Sequence, residues 1–135
     1  MAADYAFRAQ LDVPYREALE KLETALRAEG FGILTSVDMK ATLKEKLGAE
    51  FREYSILGAC NPPLVQRALA QDLDAGLVLP CTVVVYEDEG GSSVTIADPM
   101  SVVELLGNPD LRPIAKEAQV KLKRALAELA DQSRK

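Results

Sequence analysis

The sequence predicts an α+β fold: a largely antiparallel sheet with long helices on one face. Three observations lead there. Five short runs are rich in β-branched and aromatic residues or alternate apolar with polar positions, the period of a strand. Between them lie stretches with apolar residues at helical spacing, several closed by a glycine. One tight hairpin is mixed with longer crossovers, which favours helices segregated to one side of the sheet.

The first strand is "YAFRAQL", with Tyr5, Phe7, Ala9 and Leu11 on alternate positions. A helix follows over "PYREALEKLETALRAEG". Tyr15, Leu19, Leu22 and Leu26 form its apolar stripe, Pro14 suits the first turn, and Gly30 suits the position just past the end. "FGILTSV" is the second strand. Asp38 is placed to cap a short helix, "MKATLKEKL", with Met39, Leu43 and Leu47 as its apolar stripe and Gly48 as its stop. "FREYSILGAC" is the third strand and "NPPLVQRALAQ" the third helix. In "LVLPCTVVVYE", Pro80 has no N–H to give a ladder, so the fourth strand starts near Cys81 and "LVL" is a buried approach to it. "EDEGG" is a hairpin turn into the return strand "SVTIAD". Asp98 and Pro99 open a short helix, "MSVVELL", closed by Gly107. A long amphipathic helix comes last, within "PDLRPIAKEAQVKLKRALAELA". Its stripe is Leu111, Ile114, Ala118, Leu122, Ala125 and Leu129, and "DQSRK" reads as a frayed tail.

With 135 residues and no repeat, low-complexity tract or linker, residues 1–135 read as a single domain. A chain of this size buries roughly two-thirds of its unfolded surface, enough for a sizeable core. No apolar run approaches the roughly 20 residues that cross a bilayer. The N-terminal stretch has no basic region followed by an apolar one, so no secretory signal is read and the cytoplasm is the expected compartment. A net charge of −5 repels phosphate, which argues against nucleic acid and anionic membranes as partners. Tryptophan is absent and aromatics are few, leaving little to stack on bases.

Histidine is also absent. That removes the commonest general base and the commonest nitrogen ligand for metals. Ser-His-Asp, Cys-His and Cys-His zinc arrangements cannot be assembled from one chain. The reading therefore assigns no catalytic residue, no metal set and no cofactor, and it leans away from an enzyme. The glycines of "EGFG" and "DEGG" match no nucleotide-binding pattern, and "KEKLGAEFRE" is a mixed charge run of the kind that is usually a solvated face. Glu87, Asp88 and Glu89 fall at the hairpin tip, where solvation explains them.

The chemistry that remains centres on "YSILGACNPPLVQRAL", where a small-residue strand runs into a cysteine, an asparagine, two prolines and a helix. A helix N-terminus with free N–H groups is an anion site. Here Asn61 reads as the N-cap, held extended by the proline after it, and Pro62 and Pro63 take the first two helical positions without an N–H to offer. This corner is therefore short of donors for phosphate and rigid instead. Cys60 is either a thiol activated by the helix dipole or a small buried hydrophobe, and packing is favoured. Cys81, just after Pro80, carries the same ambiguity, and its distance along the chain from Cys60 is far from a CxxC spacing.

Three segments, "EGFGILTSVD", "LGAEFREYSILGACNPPLVQRAL" and "GLVLPCTVVVYE", closely resemble the bacterial and archaeal family called domain of unknown function 302. The resemblance spans about Ala6 to Leu129, and "ILGACNPPL" and "LPC" are its specific part. Thr82 stands where that family usually holds an asparagine after the second cysteine, which weakens any role for a polar amide there. The resemblance implies a compact α+β domain with a TATA-box-binding-protein-like topology, a curved sheet of about five strands backed by helices. It implies no reaction, and the fold name carries no inference about DNA.

The expected function is a small cytoplasmic binding domain. Its ligand would be a small apolar or thiol-reactive molecule, or a soft metal, near Cys60, Asn61 and Cys81. That reading expects the two cysteines at adjacent strand ends, close in space. The alternative is a homodimeric interaction module with no chemistry. A cysteine-based enzyme ranks last, because nothing in the sequence puts an activating base beside a thiol.

Overall fold

The computed structural model describes residues 5–133. Five strands make one sheet in the order β1-β5-β4-β3-β2: β1 Ala6–Leu11, β2 Gly32–Asp38, β3 Tyr54–Cys60, β4 Cys81–Asp88 and β5 Gly91–Ala97. Every neighbouring pair is antiparallel. Five α-helices connect and cover it: α1 Tyr15–Ala28, α2 Met39–Leu47, α3 Pro62–Gln71, α4 Pro99–Val103 and α5 Arg112–Gln132. The α+β class and the element order follow the sequence reading.

Local chemistry explains most boundaries. Glu89 and Gly90 join β4 to β5 with φ of 48° and 85°, the positive angles that a two-residue type I′ turn demands at both positions. Asp38 caps α2 by accepting the Ala41 N–H at 2.9 Å, and Gly48 ends it in the left-handed region. Asp98 caps α4 in the same way through the Met100 N–H, with Pro99 behind it at a position that needs no donor. Pro14 stands one place earlier than expected, as the N-cap of α1.

The core lies between one face of the sheet and the two long helices. Leu57 and Ala59 of β3, Val83 and Val85 of β4, and Val94 and Ile96 of β5 meet Leu22 and Leu26 of α1 and Leu122 and Leu129 of α5. Each fully buried valine, leucine or isoleucine among them contributes about 1.5–3 kcal/mol of transfer free energy. The Tyr15 and Ser55 hydroxyls share a buried hydrogen bond that ties the start of α1 to the start of β3. A smaller cluster, Ala68, Ala75 and Leu111, lies between α3 and the entry to α5.

Three expectations are corrected. The apolar stripe of α2 is not buried: no residue of this nine-residue helix is, and Leu47 is 74% exposed. It lies at the edge of the sheet against β2 and β3, which leaves Met39 and Leu43 half-buried. The "LVL" approach to β4 is not uniformly buried either. Leu73–Leu77 forms a 3-10 turn with Ala75 inward and Leu77 80% exposed, and Val78 and Leu79 are only half-buried. Finally, the tail is not frayed through its first residues. Helix α5 runs to Gln132, and buried Ser133 accepts the Asp12 N–H at 3.2 Å, which pins it to the corner after β1. Residues 134–135 of that predicted tail lie outside the described residues.

Candidate functional site

The turn from β3 into α3 is built as a rigid corner. Asn61 is extended, with φ −106° and ψ 101°, and its Oδ1 accepts the Leu64 N–H at 3.3 Å. Its Nδ2 donates to the Glu29 carbonyl at 3.3 Å. Pro62 and Pro63 occupy the first two helical positions. Gly30, in the left-handed region at φ 86°, is where the amide comes closest to the α1 terminus, and a Cβ there would stand 3.0 Å from Asn61 Nδ2. Asn61 is therefore a buried bracket between α1 and α3 as well as a cap.

The cysteines occupy neighbouring strands. Cys81 is paired with Ala59 across the β3–β4 ladder, and Cys60 is paired with Gly32 across the β2–β3 ladder. Side chains alternate faces along a strand. Cys81 thus points with Ala59 toward the helices, and Cys60 belongs to the other face. Both thiols are free. Burial pushes the Cys81 thiol up to about 11, with neighbouring Cys60 adding to the rise. Burial raises the Cys60 thiol as well. At neutral pH both are protonated, so neither is a ready nucleophile or anionic ligand. Among the described residues, no group of three or more Cys, Asp or Glu side chains is placed to share a metal ion.

Sequence reasoning missed the cavity beside Cys81. Space of about 70 Å³ lies between the sheet and helices α3, α4 and α5, where the main core and the smaller cluster meet. Six alanines line it: Ala59, Ala68, Ala75, Ala97, Ala115 and Ala118. Larger side chains at those points would close the gap, and alanine leaves it open. Leu64, Leu79, Val103 and Ile114 are among the other apolar residues of the wall, and Asn61 and Cys81 bring an amide and a neutral thiol to it. Thr82 also borders it, but it is exposed and pairs with Gly58, so alternation turns its side chain to the other face. The signal in the sequence was the substitution of alanine for leucine on the inner face of α5, at Ala115 and Ala118. The periodic stripe registers Ala118 as core without registering its size, and it passes over Ala115, which is buried as well.

The family model described as domain of unknown function DUF302 matches residues 7–129. The chain belongs to that family. A crystal structure described as an uncharacterized conserved DUF302 protein from Bacillus stearothermophilus is similar to it at 32% identity, with a TM-score of 0.83. The match covers 98% of this chain and 100% of that one. No curated protein matches. In this DUF302 chain, the two most specific segments of the sequence, "ILGACNPPL" and "LPC", supply Ala59, Asn61, Leu64, Leu79 and Cys81 to the cavity wall. Cys60 lies in the same segment but not on that wall.

Proposed function

We propose that this DUF302 chain is a binding domain for a small apolar molecule held in the alanine-lined cavity. The observation that carries the reading is the cavity itself: about 70 Å³ bounded almost wholly by apolar side chains. An apolar cavity stays dry, and one of about 150 Å³ holds benzene. Half that volume suits a ligand of a few carbons. The Cys81 thiol, held neutral, supports a packing or weak-donor role rather than attack on a thiol-reactive ligand or capture of a soft metal. The test is methyl NMR of the alanines under xenon pressure. Saturable shifts at Ala59, Ala115 and Ala118 are expected, and Ala68→Leu, which fills the space, should abolish them. Unmoved alanine methyls in the wild type would overturn the reading.

The second reading, a homodimeric module, is supported by edge strand β2. Its residues 32–37 carry no charge or proline, two of the usual protections of an exposed edge, and its ladder to β3 shifts register between Ile33 and Thr35. Leu34, Val37, Leu47 and Phe51 are exposed on or near it. Sedimentation of wild type against Leu34→Lys tests this: a dimer that the lysine splits supports it, and a monomer in both overturns it. Two free thiols suit a reducing cytoplasm, and among the described residues no helix is long and apolar enough to cross a membrane. The five-stranded antiparallel sheet with α1 and α5 on one face supports the TATA-box-binding-protein-like topology. The net charge of −5 still argues against nucleic acid.

A further inference from the structure

We propose that the cavity and the charged cleft outside it form one site for an amphipathic anion, with a short aliphatic chain inside and a carboxylate head in the cleft. The proposal rests on the cavity reading above and adds the head. Asn61 and Leu64 line both the cavity and a cleft between the end of α1, α3 and α5. The partition between apolar space and solvent is therefore only these side chains deep. The cleft carries Arg67 from α3 and Lys121 and Arg124 from α5, against Glu29 and Glu117. Three cations facing two carboxylates leave one positive charge in excess, in a chain whose net charge is −5.

The two guanidiniums are already engaged. Arg67 pairs with Glu117 at 2.6 Å, and Arg124 holds Glu29 at 3.0 Å. Lys121 makes no hydrogen bond or ion pair of its own among the described residues. It lies near enough to Glu117 to join Arg67 in holding that carboxyl below its ordinary range. An ammonium on a flexible stem is the group that can turn to a new carboxylate. The α3 N-terminus cannot serve the head, because Pro62 and Pro63 have no N–H, so side chains must. The Asn61 amide is the second donor. Its Nδ2 holds the Glu29 carbonyl at 3.3 Å, beyond the usual N–H···O range, so that contact is a long one and the amide keeps donor capacity for a head group.

The test compares pentanoate with pentan-1-ol, equal chains that differ in charge, by titration followed at the Ala115 and Ala118 methyls. Pentanoate should bind about tenfold tighter at low salt, the ratio that about 1.4 kcal/mol gives. The advantage should shrink as salt screens the head. Lys121→Met keeps the stem and removes the charge. It should bring pentanoate down to the alcohol's affinity and leave the alcohol unchanged. Equal affinity of the two compounds for the wild type would overturn the head site and leave the apolar cavity standing. Salt-sensitive pentanoate binding without movement of the alanine methyls would overturn it too, as binding of an ion at the surface. Silence of the methyls toward both compounds would remove the cavity reading along with it.

Discussion

Cys81 stands across the β3–β4 ladder from Ala59, so Cys60 is one residue past it and on the opposite face of the sheet. The two cysteines are neighbours that do not face each other. Side chains directed to opposite faces cannot be joined by a disulfide without moving backbone. Treatment with a mild thiol oxidant should therefore leave two titratable thiols per chain when the protein is afterwards unfolded. Loss of both thiols within a monomer would sink this geometry. Alkylation of the native protein at neutral pH should also be slow, because burial keeps both thiols protonated.

The Cys81 thiol also sets a pH dependence. Its value rises from 9.0 to about 11 on folding. Between those values the unfolded chain has lost a proton that the native state keeps. Stability therefore falls as pH rises through that window, and below it the contribution is fully present. Tyr15 is raised chiefly by burial and acts in the same direction. Urea midpoints taken from pH 8 to pH 11 should fall above about pH 9. Cys81→Ala should flatten part of that slope without removing it, since Cys60 and Tyr15, both raised by burial, remain. An identical slope in the variant would contradict the assignment.

The fold was legible in the sequence wherever local chemistry decided it. Asp38, Asn61 and Asp98 were readable as caps, and each accepts a backbone N–H in the first turn of its helix. Pro80 marked the start of β4 because it has no donor for the ladder. What escaped was decided by the neighbours of an element. The Met39–Leu43–Leu47 stripe has helical spacing, but α2 lies at the edge of the sheet, where Met39 and Leu43 are only half-buried and Leu47 is exposed. The frayed-tail reading fails at residues 131–133 because the Asp12 N–H, more than a hundred residues away in sequence, bonds to Ser133. At the site, the residues of the β3–α3 corner were visible from their sequence. The cavity was not, because it depends on six alanines converging from five separate segments.

The Asn61-Pro62-Pro63 corner should act on stability with separable parts. Asn61→Ala removes the acceptor of the Leu64 N–H and the donor to the Glu29 carbonyl together, at a buried position. The loss should be about 1 kcal/mol, within roughly 0.5–2. Pro63→Ala leaves the folded contacts in place and loosens the unfolded chain, for about 0.4–1 kcal/mol. Denaturant melts should show both midpoints below wild type, with Asn61→Ala lower. Unchanged midpoints in both variants would move the weight of this corner from stability to ligand contact.

Gly58 should be the least replaceable residue of β3. It pairs with Thr35 on one side and Thr82 on the other. An added Cβ would come within 2.3 Å of Thr35 Oγ1 and 2.7 Å of Pro80 Cγ. The threonine hydroxyl can rotate away, but the proline ring cannot. Alanine gains about 0.5–1 kcal/mol over glycine in a strand from reduced chain entropy, whereas overpacking costs about 1–3 kcal/mol. The clash should win, and Gly58→Ala should lower the denaturation midpoint. Adding Thr35→Ala should recover only part of the loss, because the proline contact persists. Pro80 immediately precedes Cys81, which lines the cavity. The same variant should therefore also weaken the xenon response of the Ala59 methyl. A midpoint and a xenon response both equal to wild type would show that the ring yields freely. In that case Gly58 would not hold the cavity wall in place.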